Sequence, residues 1–320
     1  MRVRFVDTGS KDTRSGFGVG LLEAAQKNPK IVALAADLAS SVKMDAFAQK
    51  FPERFFQCGV AEANMIGVAA GLATMGFIPF VGTFANFATG RVYDQVRQSI
   101  CYSGKNVKIA ASHAGLTLGE DGATHQMLED IGLMRGLPGM TVVCPCDYNQ
   151  TRLATLAAAE WEGPVYLRFG RPVMPNFTPT EDPSFKIGKV QVLLEGKEGV
   201  IFATGHMVWQ ALQASYMLEE QGVSVAVVNV HTLKPIDVEG IVEWLERTNV
   251  VVTAEEHQIY NGLGDIISYV ATSYCPRYVV RVAVKDTFGE SGKPHELMEK
   301  YGLTASHIAS AVKYAIERKK

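Results

Sequence analysis

The chain has 320 residues, 47% of them hydrophobic and 20% charged, with 31 Lys and Arg against 33 Asp and Glu and a formal charge of −2. This is the balance of a globular protein of about two domains, and with no basic block besides Arg318-Lys319-Lys320 it gives no electrostatic reason to expect nucleic acid or an anionic membrane as a partner. No stretch approaches the roughly 20 clean apolar residues of a membrane span, and the opening MRVRFVDTGSKDTRSG lacks the apolar core of a secretory signal, so a cytoplasmic location is expected.

In chain order, IVALAAD (31–37), FIPFVGTF (77–84), VKIAASH (107–113), MTVVCPCD (140–147) and PVYLRFGR (164–171) read as strands, and the amphipathic stretches 61–75, 91–103 and 148–161 as helices. That alternation predicts an α/β architecture with parallel strands and crossover helices. RPVMPNFTPTEDPSF (171–185) holds four prolines and no periodicity, the mark of an interdomain linker. Beyond it GVIFATG (199–205), VSVAVVNV (223–230), NVVVTAEE (249–256) and YVVRVAV (278–284) resume the pattern in a smaller unit. The expected division is 1–175, a linker at 176–185, and 186–320, each domain a mostly parallel sheet flanked by helices. Cys58, Cys101, Cys144, Cys146 and Cys275 are odd in number, and CPC is too tightly spaced for a zinc knuckle, so they are expected to be reduced and structural. The seven histidines show no paired-ligand spacing either.

Ligands of open parallel sheets bind outside the carboxyl ends of the strands, where loops and helix N-termini converge on a crevice. Those ends carry Asp37 with Ser40 and Ser41, then Thr83 with Phe84, then His113, then Asp147, then Arg168 and Arg171. Capping and turn formation account for Asp147 and Ser40. The segment after His113, HAGLTLGEDGATHQ (113–126), gathers His113, Asp121 and His125 in one Gly-rich loop, a pattern that suits catalysis as well as plain surface polarity. In GTFANFATGRVYDQVRQS (82–99), Phe84 and Phe87 stand beyond a strand end, before a helix expected to begin near Gly90; they are either core or an aromatic cage for a flat heterocycle.

GVAEANMIGVAAGLATMG (59–76) sets one carboxylate, Glu62, at the mouth of a small apolar helix. Ala63, Gly67, Ala69, Ala70, Gly71 and Ala73 permit close approach by another helix, so the helix reads as an interface element. Burial disfavours the ionised form of Glu62 unless a partner group wants that carboxyl. A glutamate in a first turn also complements the helix dipole and needs no further purpose.

GVAEANMIGVAAGLA, GTFANFATGRVYDQVR, GEDGATHQMLEDIGLMRGLPGMTVVCPCD and FGESGKPHELMEKYGL together resemble the C-terminal half of a transketolase, its pyrimidine-binding domain plus its final domain, over nearly the whole chain. GEDGATHQ is the most specific block, while other thiamine-diphosphate enzymes share the Glu-bearing helix. The resemblance implies that Glu62 bonds a ring nitrogen of the cofactor's aminopyrimidine and favours the tautomer whose amino group can deprotonate the thiazolium carbon. Phe84 and Phe87 are similar to the aromatics packing on that ring, and Asp37 to a residue near the cofactor. Where the family often has a further tyrosine, this chain has Gly90. His125 and Asp121 resemble the residues that bind the sugar hydroxyls and handle protons. His113, Arg171, Ser41 and Arg14 match the positions holding the substrate phosphate, for which Arg offers a bidentate anion contact.

The family binds the diphosphate and a divalent metal such as Mg²⁺ through a separate N-terminal domain, with GDG followed about thirty residues later by Asn. This chain has no such constellation. The resemblance therefore implies a split enzyme: a partner subunit supplies the diphosphate and metal site, the metal ligands lying outside this chain. It also implies self-association, two copies of each chain in a heterotetramer, and transfer of a two-carbon ketol unit between sugar phosphates. The neighbouring possibilities are a 1-deoxyxylulose-5-phosphate synthase, which usually has Arg where His113 stands; a transketolase-like enzyme for an unusual sugar, a sulfonated one included; and a non-catalytic relative. The retained Glu62, Asp121 and His125 speak for catalysis. AEEHQIYNGLG (254–264) is expected to stabilise the assembly, with His257 structural.

Overall fold

The computed structural model describes residues 8–318. The first unit runs β1 (Ser10–Asp12), α1 (Thr13–Lys27), β2 (Ile31–Ala35), α2 (Asp45–Lys50), β3 (Phe55–Gln57), α3 (Glu62–Thr74), β4 (Ile78–Phe84), α4 (Ala85–Ala88), α5 (Tyr93–Gln95), β5 (Lys108–Ser112), α6 (Asp130–Arg135), β6 (Thr141–Val143), α7 (Tyr148–Glu160), β7 (Val165–Arg168) and β8 (Val173–Pro175). The second runs β9 (Gln191–Leu194), β10 (Gly199–Ala203), α8 (Met207–Glu219), β11 (Val225–Asn229), β12 (Thr232–Lys234), α9 (Val238–Arg247), β13 (Val251–Gln258), α10 (Leu263–Tyr274), β14 (Val279–Val284), α11 (Pro294–Lys300) and α12 (Ala305–Arg318).

The larger sheet has the order β12-β6-β7-β5-β4-β2-β3, with every pair parallel except β12 against β6. The smaller has the order β14-β13-β10-β11-β9, with only β9 antiparallel. β2, β5, β10 and β11 are buried at every residue, as strands covered on both faces must be. The predicted α/β pattern of mostly parallel sheets thus stands in both units.

Two features depart from a simple bead-on-string arrangement. β12 leaves the second unit's sequence to pair with β6 at the edge of the first unit's sheet, Thr232 opposite Val143. The proline-rich stretch after β8 is anchored: Asp147 caps α7 by accepting from Gln150 N, and accepts also from Phe177 N, Thr178 N and Thr178 Oγ1 at 2.6–2.8 Å. The capping role expected for Asp147 is therefore only part of what it does.

α1 packs on α7 at a distance only glycine permits, since a Cβ on Gly16 would lie 2.3 Å from Tyr148 O. Thr13 Oγ1 donates to Gly170 O at 3.0 Å, which pins the first turn of α1 beside the segment that follows β7. The helix expected over 91–103 is present as α5 running straight into a wider π-helical stretch over Val96–Tyr102, and a further short helix, α4, precedes it and ends at Ala88. The interruption at Thr89-Gly90 lets the chain turn beyond Phe87, and Thr89 Oγ1 bonds back to Ala85 O.

Candidate functional site

The carboxyl ends of β2, β4, β5 and β7, which are adjacent in the sheet, deliver most of the singled-out residues to one edge. Asp37 follows β2 at φ +63 and donates its N–H to Gln57 Oε1 at 2.7 Å, while His113 follows β5 at φ +59. Left-handed backbone at two non-glycine residues costs about 1–3 kcal/mol each and survives only where the surroundings enforce it, a recurrent feature of ligand sites.

An aromatic row crosses this edge. His113 stacks on Phe84 with ring centroids 3.8 Å apart, Phe84 stacks on Phe87 at 5.8 Å, and Phe87 meets His125 edge-on at 5.4 Å. In this row Phe84 is nearly buried and Phe87 half-buried. At its end lies Glu62, in the first turn of α3 and only 4% exposed, whose Oε1 accepts from Arg91 Nη1 at 2.8 Å. The Arg91 guanidinium in turn lies 4.0 Å over the Phe87 ring. Arg91 follows directly on Gly90, where a Cβ would come no nearer than 3.5 Å to Asn86 Oδ1, so the missing side chain leaves open space there. A nearly buried carboxylate beside a flat aromatic face fits a planar nitrogen heterocycle.

The other end of the row is cationic. Arg14 Nη1 donates to Ser41 O at 3.0 Å and its Nε pairs with Asp12 at 3.2 Å; Arg171 Nη1 donates to Leu118 O at 2.8 Å and reaches Glu120 at 3.2 Å. Burial works against the charge of Arg14, Asp12 offsets this, and the nearness of Arg171 adds to it. Burial, with Arg14 and then Arg171, lowers the pKa of His113 to about 3. At neutral pH it is an uncharged imidazole whose Nδ1 is bonded to Ser112 Oγ at 2.7 Å. Two convergent guanidiniums and a neutral imidazole at a helix N-terminus suit a tetrahedral anion.

Between the two ends lies the loop 113–126. Asp121 is exposed at its tip, and His125 is half-buried with Nδ1 2.9 Å from Thr124 Oγ1. Glu62, Phe84, Phe87, His113, His125, Arg14 and Arg171 are thus linked by ring, ion-pair and charge interactions along this edge, with Asp37, Ser41 and Asp121 on the segments that follow β2 and β5. Arg168 does not join it: it is buried, bonded to Asp130 Oδ2 at 2.7 Å and to Glu256 O at 2.9 Å. His257 is buried as well. Sequence reasoning missed Arg91, because its contact with Glu62 spans 29 positions and two helix fragments. Among the described residues no group of three or more His, Cys, Asp or Glu could hold a metal ion, all five cysteines are free, and no helix is long and apolar enough to cross a membrane.

Residues 9–176 match the transketolase pyrimidine-binding domain and residues 188–308 the transketolase C-terminal domain. A protein of Methanocaldococcus jannaschii named as a transketolase C-terminal section is 44% identical over 304 residues, covering 94% of this chain and 95% of that one. The 6-deoxy-6-sulfo-D-fructose transketolase subunit of Clostridium sp. is 46% identical over 299 residues, covering 93% and 92%. A solved structure described as a split gene transketolase in an inactive beta4 tetramer superposes with a TM-score of 0.89 at 48% identity, covering 98% and 100%. Two matched domains and relatives of the same extent, over a sheet edge that holds a buried glutamate, an aromatic wall and paired arginines, place this chain in the transketolase family as a counterpart of its C-terminal section.

Proposed function

We propose that the chain, joined by an N-terminal transketolase subunit, transfers a two-carbon ketol unit between a ketose phosphate and an aldose phosphate. Thiamine diphosphate, when bound, supplies the nucleophilic carbon. Glu62 offers its carboxyl to a ring nitrogen of the pyrimidine, Phe84 and Phe87 wall that ring, and Asp37 borders it. His125 and Asp121 bind the sugar hydroxyls and move protons at the reacting carbon. Arg14, Arg171, His113 and Ser41 hold the terminal phosphate. The partner subunit holds Mg²⁺ and the diphosphate, and the working assembly is a cytoplasmic heterotetramer with two chains of each kind.

The observation that carries this reading is the continuity of the edge: an aromatic row joins a nearly buried carboxylate at one end to two arginines at the other. Kinship with a 6-deoxy-6-sulfo-D-fructose transketolase subunit supports a second reading, since a sulfonate is a tetrahedral oxyanion that the same cations would take. Assays with phosphorylated and sulfonated ketoses side by side separate the two.

The deciding experiment titrates thiamine diphosphate with Mg²⁺ calorimetrically into the chain alone and into the chain mixed with the N-terminal subunit. Heat only in the mixture, followed by ketol transfer, is the expected result. Tight binding by the chain alone would remove the partner from the cofactor site. In the mixture, Glu62→Gln is expected to keep the fold and the partner yet abolish turnover; near-normal turnover would sink the role given to Glu62.

A further inference from the structure

The loop that bears Asp121 and His125 is irregular apart from one 3₁₀ turn at Leu116–Leu118, and it passes through left-handed backbone at Gly115, Gly119 and Gly122. Ordering such a segment costs about 1–2 kcal/mol per residue, so something must hold it. Its own unit contributes four long-range bonds: Asn86 Nδ2 donates to Thr124 O at 2.7 Å, Arg171 Nη1 to Leu118 O and to Glu120 Oε2, and Ala114 N to Phe169 O.

The second unit holds the loop as well. Glu256, at the end of β13, accepts from Thr117 N at 2.6 Å, and its carboxylate fills the space that a side chain on Gly115 would need. Ser291 Oγ donates to Glu120 O at 2.5 Å, and a Cβ on Gly122 would meet Ser291 N at 3.3 Å, so both chain neighbours of Asp121 rest on one serine. Gln126, the residue after His125, is buried and donates from Nε2 to Glu290 O at 2.9 Å, with longer bonds to Leu116 O and Gly119 O. Gly289 lies so close that a Cβ there would fall 1.9 Å from Gln126 Oε1.

We propose that the C-terminal unit is a working part of the sugar site: Ser291 positions Asp121, and Gln126, bonded to the backbone of Glu290, positions His125. None of these touches the reacting atoms; they are positioning residues. The inference rests on the reading of Asp121 and His125 as the sugar-handling pair. It assigns to 288–292 a task distinct from assembly, and it explains why a glycine and a small hydroxyl face the loop there.

The test uses the full chain reconstituted with its N-terminal subunit. Ser291 is exposed, so Ser291→Ala leaves the core untouched. Losing one ordering hydrogen bond is expected to raise amide exchange over 119–125 about tenfold, with α1 and α7 unchanged. The kcat for a ketose phosphate should fall at least about tenfold, since small displacements of reacting groups are costly. KM should stay within about twofold because the phosphate cations are not moved. Ser291→Thr, which keeps the hydroxyl, should restore most of kcat. Gly289→Ala, which pushes on Gln126, should reproduce the loss through His125. Unchanged kcat in Ser291→Ala overturns the positioning role, whether or not exchange rises. A matching loss in Ser291→Thr overturns the role of the hydroxyl. Full activity of Asp121→Asn and His125→Ala would instead overturn the underlying reading of the loop.

Discussion

Arg171 is held by Leu118 O and Glu120, so the loop 113–126 orders its guanidinium without any ligand. A charge-assisted contact of this kind is worth about 1.5–3 kcal/mol, roughly ten- to a hundredfold in affinity. Arg171→Ala is therefore expected to raise KM for phosphorylated sugars by that factor while leaving the dephosphorylated forms nearly unaffected, as steady-state kinetics on both would read. An equal loss for both would detach Arg171 from the anion end. The placement of Asp37, His113 and Arg171 just beyond strand ends was legible from the alternation of strands and helices. What was not legible is which of Arg168 and Arg171 faces the crevice. Arg168 ends β7 and Arg171 follows it, and Asp130, 38 residues before Arg168, together with Glu256 O holds Arg168 inward. Arg91 escaped for the same reason, its partner Glu62 being brought to it by tertiary packing alone.

α3 is the element whose two faces tell different stories. Met65, Ile66, Ala69 and Ala70 are buried within the chain, while Ala63, Gly67 and Gly71 are exposed, and a Cβ on either glycine would meet nothing within 4 Å. The small-residue pattern was readable, but pattern alone could not assign residues to the two faces; the helix's rotation over β4 does that. A glycine in an exposed helix interior costs about 0.5–1 kcal/mol relative to alanine. Gly67→Leu should thus leave the isolated chain at least as stable, yet obstruct a second copy packing on this face. Sedimentation velocity is expected to show a shift toward monomer, with the thermal midpoint at low concentration unchanged or higher. An unchanged assembly would mean that this face is not the one used. The helix read over 91–103 is met by α5 and the π-helical stretch to Tyr102, while the short α4 that precedes it went unread.

At the scale of the whole molecule, four histidines are held uncharged by burial: His206, His231 and His257 with pKa values near 4, and His113 near 3. An unfolded chain takes up protons on histidine near pH 6.5. Between that value and about 4 the unfolded state binds more protons than the native one, so the stability these sites contribute is complete above pH 6.5 and is lost as pH falls. Glu255 runs the other way. Burial outweighs the two N–H bonds from Gly264 and Leu263 and raises its pKa to about 7, so its contribution grows as pH drops from 7 toward 4.5. Burial raises the pKa of Glu256 as well, so two carboxyls oppose the four imidazoles. The chain should therefore lose stability on acidification, its urea midpoint falling below pH 6.5, with net proton uptake on unfolding. Glu255→Gln removes one opposing contribution and should steepen that fall. A midpoint constant from pH 6.5 to 5 would mean that the interior admits these charges far more readily than its burial implies.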